Sequence, residues 1–160
     1  MRPTPLLLLA LTACGLKPLY SAGDASARPV LADVMVAEVP GGAPGWVMTQ
    51  ALRDRMAGGS TARYRLTATI DDRIEGFGVR RDAAVTRERR TLRIRYQLID
   101  SHAGTTLLDA TAGHDAGIDV VSSDYATVAA EDTALDNLAR LVADKVAVRV
   151  TSYLRTQKRP

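Results

Sequence analysis

From Asp124 to Leu154 nothing interrupts a helical pattern, because neither Pro nor Gly occurs in that stretch. Val128, Leu135, Leu138, Val142, Val146, Val150 and Tyr153 recur along one stripe, with Ser122, Ser123 or Asp124 available as N-cap. About 30 residues at ~1.5 Å per residue make a helix of roughly 45 Å. Such a stripe must be buried along its whole length, so the rest of the chain has to supply an apolar surface equally long. It does. Residues 63 to 76 alternate, with Tyr64, Leu66, Ala68 and Ile70 on one face and Arg63, Arg65, Thr67 and Thr69 on the other. Residues 86 to 99 alternate again, with Leu92, Ile94, Tyr96 and Leu98 opposite Arg89, Thr91, Arg93, Arg95 and Gln97. A strand of about 14 residues at ~3.3 Å spans roughly 46 Å, the length of the helix.

The remaining elements complete the architecture. Val34, Val36 and Val39 suggest a first strand between Leu31 and Val39, stopped by Pro40-Gly41-Gly42. Pro44 stands where a first helical turn tolerates it, and Val47, Met48, Ala51, Leu52 and Met56 follow at helical spacing up to Gly58-Gly59. After the turn at Asp100 to Gly104, Leu108, Ala110 and Ala112 point inward in a further strand that fades near Gly113 and Gly117. The order β-α-β-β-β-α predicts an α+β two-layer sandwich. Its mixed sheet of about four strands carries one short and one long helix on one face, with an antiparallel meander after a parallel, right-handed first crossover.

The amino terminus reads as an export signal. Arg2 is followed by the short apolar run Leu6 to Leu11, and Leu11-Thr12-Ala13-Cys14 fits the bacterial lipobox. The run is far short of the ~20 residues that span a bilayer, and no later window approaches that length. The expected division is therefore a signal peptide over 1–13, a lipidated terminus and flexible tether over 14–30, and one domain over 31–160. Cys14 is the only cysteine, so it makes no internal bridge, and lipidation would consume its thiol. A diacylglycerol and an N-acyl chain on Cys14 are the only non-protein groups expected, with no other cofactor and no metal. Each acyl chain gains roughly 0.8 kcal/mol per buried CH2, which anchors the protein at a membrane surface. Gly15 follows the cysteine with no Asp to resemble inner-membrane retention, which favours the outer membrane with the domain facing the periplasm. Export excludes nucleic acid as a partner.

Catalytic signatures are lacking in the sequence. His102 lies in a turn and His114 near a strand end, while Ser122 and Ser123 have no Gly-x-Ser-x-Gly elbow around them. Asp71-Asp72, Asp109, Asp115 and Asp119 read as solvated strand ends rather than as a cation site. A periplasmic hydrolase would need one of the histidines within hydrogen-bond reach of a serine or carboxylate in a pocket. Non-enzymatic binding is the expectation.

The arginines are more informative than the net charge of +3. Ten of the 21 basic residues fall between Arg63 and Arg95, against five acids. Strand phase sends Arg65, Arg89, Arg93 and Arg95 to the face away from the helices. Guanidinium groups pair bidentately with phosphate, so this face could hold a phosphorylated lipid headgroup, dock an acidic partner, or simply keep an open sheet soluble.

Cys14-Gly15-Leu16-Lys17-Pro18-Leu19-Tyr20 after the lipobox, followed by β-α-β-β-β-α, resembles the lipopolysaccharide-assembly lipoproteins of the LptE family, whose short members begin Cys-Gly-Phe-x-Pro-Leu-Tyr. Ala129-Ala130-Glu131-Asp132-Thr133-Ala134 and the ending Thr151-Ser152-Tyr153-Leu154 are also similar to that family's last helix. The resemblance implies a protein that assists assembly of the LptD β-barrel, plugs its lumen and contacts lipopolysaccharide on the way to the outer leaflet. Arg65, Arg89, Arg93 and Arg95 would then be the phosphate contacts, a choice resting on strand phase. The competing expectation is an auxiliary lipoprotein of an ABC-type intermembrane phospholipid transport system. Replacing Cys14 by Ser is expected to abolish acylation, read as the loss of acyl mass from the intact protein. Acyl mass persisting at that position in the variant would refute the lipobox.

Overall fold

The computed structural model describes residues 28–79 and 85–157, so the signal, Cys14 and nearly all of the tether lie outside the described residues. A short helix α1 (Arg28–Leu31) comes first, beginning inside the stretch read as tether. It is followed by β1 (Val34–Val36), α2 (Gly42–Arg53), β2 (Tyr64–Val79), β3 (Val85–Asp100), β4 (Thr106–Asp119) and α3 (Asp124–Gln157). The sheet runs β1-β2-β3-β4, with β1 parallel to β2 and the other neighbours antiparallel. Both longer helices cover one face, α2 over β1 and β2 and α3 over β3 and β4. The expected α+β sandwich is the observed one.

The length match governs the packing. Helix α3 has 34 residues, about 51 Å of helix, and β3 has 16, about 53 Å of strand. Leu92, Ile94, Tyr96 and Leu98 of β3 are buried against Leu138, Val142, Val146 and Val150 of α3 in one continuous core. On β2 the inward residues are Tyr64, Leu66 and Ala68, as the alternation requires.

Two local departures have physical causes. The first strand is only three residues long, because the chain leaves the ladder beyond Val36. Ala37 N–H still donates to the Leu66 carbonyl at 2.9 Å, but Val39 N–H donates instead to the buried Thr49 hydroxyl at 3.0 Å. Thr49 in turn donates to the Gly45 carbonyl at 2.8 Å, which stitches the strand exit onto α2. Gly45 admits this close turn, since a Cβ there would sit 2.4 Å from the Val39 carbonyl oxygen. The second departure is Val128, which is 54% exposed rather than part of the buried stripe. The buried arc of α3 starts at Thr127 and Ala134 and moves round the helix to Ala147, Val150, Thr151 and Leu154. A sheet twists beneath a nearly straight helix, and α2 packs on α3 as well, so one fixed stripe does not describe its contacts.

Leu138→Ala is expected to lower stability by about 2–5 kcal/mol, because its side chain is buried beneath the helix and leaves a cavity. Val128→Ala should stay within about 0.5 kcal/mol. Urea denaturation of the two variants measures the difference, and equal losses would refute the shifted arc.

Candidate functional site

Among the described residues no element covers the face of the sheet away from the helices. Alternation along three long strands brings Arg65 and Arg73 of β2 and Arg87, Arg89, Arg93 and Arg95 of β3 to that side, all exposed. Asp71 and Glu75 of β2 and Asp109, Asp115 and Asp119 of β4 share it. The face is therefore a basic spine on β3 flanked by acidic strands, close to charge balance. That balance is what strand phase applied to the arginines alone does not reveal.

The four arginines singled out by phase have different surroundings. Arg95 forms a two-pronged pair with Asp109, at 3.0 Å through Nε and 2.8 Å through Nη2, and Gln97 donates to the same carboxylate at 2.9 Å. These bonds, Arg95 first and Gln97 next, hold the Asp109 carboxyl down at about 2. Arg89 lies over the Phe77 ring, its guanidinium carbon 5.4 Å from the centroid. Arg93 makes no ion pair among the described residues. Its stem crosses Gly113 on β4, where a Cβ would stand 2.8 Å from Arg93 Cγ. Arg65 is set apart, since it stands in register with Ile99 whereas Arg93 stands in register with Asp71. Six residues along a strand separate those rows by roughly 20 Å. The structure thus brings Arg93 and Arg95 together, with Arg89 four rows beyond Arg93 at one end and Arg65 four rows beyond Arg95 at the other, roughly 13 Å each.

Around Arg93 the face is concave. A groove of about 460 Å³ is lined by Thr69, Asp71, Thr91, Arg93, Arg95 and Thr111, with Gly113 among the residues of its β4 wall. Its polar lining is mixed, with threonine hydroxyls and the Arg93 and Arg95 guanidiniums beside the carboxylates of Asp71 and Asp115, and Arg93 is the cation in it without an ion-pair partner among the described residues. Arg73 and Arg87 are engaged nearby with Asp71 at 2.9 Å and Asp119 at 3.0 Å.

A second charged group lies on the opposite, helix-covered side, where sequence reading placed none. Arg90 Nε donates to Asp72 Oδ1 at 2.9 Å, and a second bond joins Nη2 to Oδ2. Arg90 Nη1 also donates to the backbone carbonyl of Glu131 on α3 at 2.7 Å. The two side chains are 8% and 13% exposed, so this is a buried pair and Asp72 is no solvated strand end. Both residues fall in the apolar phase of their strands, and that shared phase was the signal that identifies them. Beside them Glu88 Oε2 is buried without a hydrogen-bond partner. Burial, and then the nearby Glu88 carboxylate, push the Glu131 carboxyl above its usual range. A proton on Glu131 would give Glu88 the donor it lacks.

The histidines and serines are dispersed. Asp100 Oδ1 accepts from the backbone N–H groups of His102 and Ala103 in the β3–β4 turn, which lowers the Asp100 carboxyl. His114 sits in β4 opposite Leu92. Ser123 caps α3, its hydroxyl accepting from Ala126 N–H at 3.4 Å. Among the described residues no hydrogen bond joins either imidazole to a serine or a carboxylate, and no cluster of three or more metal-binding side chains occurs. No helix there is long and apolar enough to cross a membrane.

A one-sided sheet closed by a long helix, presenting an organised charged face, defines a small α+β module. The sequence matches the family model for lipopolysaccharide assembly, LptE, over residues 32–150. The chain belongs to that family, which is one of envelope lipoproteins rather than catalysts. Its fold is similar to that of a lipoprotein from Caulobacter crescentus at 21% identity and a TM-score of 0.70, covering 84% of this chain and 99% of that one. It is also similar to rare lipoprotein B from Shewanella oneidensis at 8% identity and a TM-score of 0.62, over 78% of this chain and 100% of that one. A lipoprotein B from Nitrosomonas europaea matches at 11% identity and a TM-score of 0.58, over 76% and 83%. No curated protein matches the sequence.

Two outcomes follow from the charge arrangement. The Asp109 carboxyl should titrate at about 2 by NMR and move towards the ordinary ~3.9 in Arg95→Ala. Because its folded value is depressed, the pair's contribution is present above the unfolded value and lost as pH falls towards 2; a midpoint near ~3.9 in the parent would contradict it. Arg90→Ala should cost about 3–5 kcal/mol by urea denaturation, since it strands the Asp72 carboxylate under α3. A loss below ~1 kcal/mol, the range of exposed pairs, would show that the pair is not buried in solution.

Proposed function

We propose that this lipopolysaccharide-assembly protein is held at the outer membrane by lipids on Cys14, assists assembly of an LptD-like β-barrel, occupies its lumen, and contacts lipopolysaccharide through the open sheet face. The observation that carries the ligand half of this reading is Arg93, an unpaired guanidinium set in a polar trough on the bare face. Family membership supports the assembly role. The division of sequence into signal, tether and domain belongs to the same proposal, with the domain reaching the barrel on a short lipid-anchored leash.

The charge balance of the face suggests how it would work. A strongly positive sheet would hold polyanionic lipid A too tightly to release it. Here three of the six arginines, Arg73, Arg87 and Arg95, already have carboxylate partners, so a phosphate gains a two-pronged contact at Arg93 at no internal cost, while contact at Arg95 requires exchange with Asp109. Arg89, braced on Phe77, stands four residues from Arg93 on the same face, roughly 13 Å along the strand, and would meet a second anionic group of the ligand. Arg65, roughly 20 Å away, would meet a different part of the ligand or the barrel wall.

Arg93→Ala is therefore expected to weaken lipopolysaccharide binding by about tenfold or more, in a salt-sensitive way, with Arg95→Ala weaker in effect. Binding of purified lipopolysaccharide to the full chain, measured at two ionic strengths, reads this, and unchanged affinity in Arg93→Ala would sink the proposed face. For the barrel, co-purification after mild detergent extraction should recover a large outer-membrane β-barrel in near one-to-one amount. Recovery of ABC-transporter components instead would favour the phospholipid-transport alternative.

A further inference from the structure

Strand β4 is the outer edge of the sheet, 14 residues long, with no further strand paired to it among the described residues. Its bonding pattern can be worked out. Val120 N–H donates to the Thr86 carbonyl of the neighbouring chain segment, and the register pairs residues of even number with β3. Backbone groups of odd-numbered residues, including Thr111, Gly113 and Asp115, consequently point away from the sheet. The contact of Lys145 agrees with this, since its Nζ donates to the Gly113 carbonyl from α3 at 2.8 Å.

Beneath this edge, between β4 and α3, runs an open crevice of about 550 Å³ lined by Tyr96, Ala110, Ala112, Lys145 and Arg149 among others. Lys145 and Arg149 are one helical turn apart, both exposed, and neither meets a carboxylate among the described residues. β4 itself carries no Pro, Lys or Arg. A long edge without those residues is a template for strand pairing, and two uncompensated cations under it select the charge of what pairs. A second copy of this chain is the wrong occupant. Two-fold pairing of β4 with itself about Gly113 would bring two Lys145 side chains together.

We propose that the β4 edge receives an extended strand of another protein, added to the sheet by backbone hydrogen bonds to Thr111, Gly113 and Asp115, with Lys145 exchanging the Gly113 carbonyl for acidic side chains on the strand's helix-facing side, which seat against Lys145 and Arg149. Alternation in the added strand places its other side chains on the outer face beside Asp115, where neutral or basic residues fit. This surface is separate from the Arg93 trough, and it stands whether or not that trough binds lipopolysaccharide.

The probe is an eleven-residue peptide alternating Glu and Thr, compared with its Lys/Thr counterpart, added to the full chain in detergent. Hydrogen exchange at the amides of Thr111, Gly113 and Asp115 is expected to slow by about tenfold or more with the Glu/Thr peptide alone. In the double variant Lys145→Glu, Arg149→Glu the preference should reverse to the Lys/Thr peptide; both positions are exposed, so the fold is retained. Thr111→Pro, which removes one outward N–H, should abolish protection with either peptide. Equal protection by both peptides, protection confined to β2, or loss of the Glu/Thr effect to inorganic phosphate with the three amides never protected would each overturn the proposal. The last result would make the two cations a simple anion site.

Discussion

The core of this protein depends on one coincidence of length. A helix rises less than half as far per residue as a strand, so only a helix about twice as long in residues can cover a 16-residue strand from end to end, and α3 has 34. Because α3 and α2 lie on the same side, the fully buried apolar side chains of the long strands lie on one face of the sheet, and the other face carries its exposed arginines. The chain therefore exposes an entire sheet surface that has to be soluble without a covering layer. Among the described residues, the surfaces left for ligands or partners are that face, the two sheet edges and the outer sides of the helices.

On the open face, solubility is obtained by compensation. Arg73, Arg87 and Arg95 are matched to Asp71, Asp119 and Asp109. Exposed pairs of this kind contribute little to stability, about 0–1 kcal/mol each. Their effect is to hold the guanidinium planes in place and leave Arg93, among the arginines lining the groove, without a carboxylate partner. A residue that stands unpaired among paired neighbours is better placed for an incoming anion than one of several equal charges, because the ligand meets a single site that needs no rearrangement.

Much of this was legible in the sequence. The strand phases of β2 and β3, the α3 helix and the order of elements follow from periodicity, which burial of one face enforces residue by residue. What escaped were features set by relations between strands. Asp109 stands on β4 beside Arg95 only in the register the hairpin adopts, so counting charges between Arg63 and Arg95 overstated the positive field of the face. Arg90 and Asp72 are in apolar phase, yet their meeting across β2 and β3 depends on a diagonal neighbour relation that no single strand shows. Val128 was misplaced because a helical wheel assumes a flat partner and this sheet twists under its helix. Val39 is buried although it lies outside any strand, since a hydroxyl from α2 takes the place of the ladder.

The buried Arg90 reaches α3 through a backbone carbonyl, that of Glu131, and reaches β2 through a side chain, that of Asp72. The two contacts constrain sequence change differently. Any residue at position 131 that keeps the helix keeps the carbonyl, so the attachment of the first turns of α3 to the sheet tolerates drift there. Positions 72 and 90 have no such freedom, because changing one leaves the other's charge stranded. Relatives that dispense with this pair would have to lose both members together and fill the gap with apolar volume, turning a polar rivet into an extension of the core.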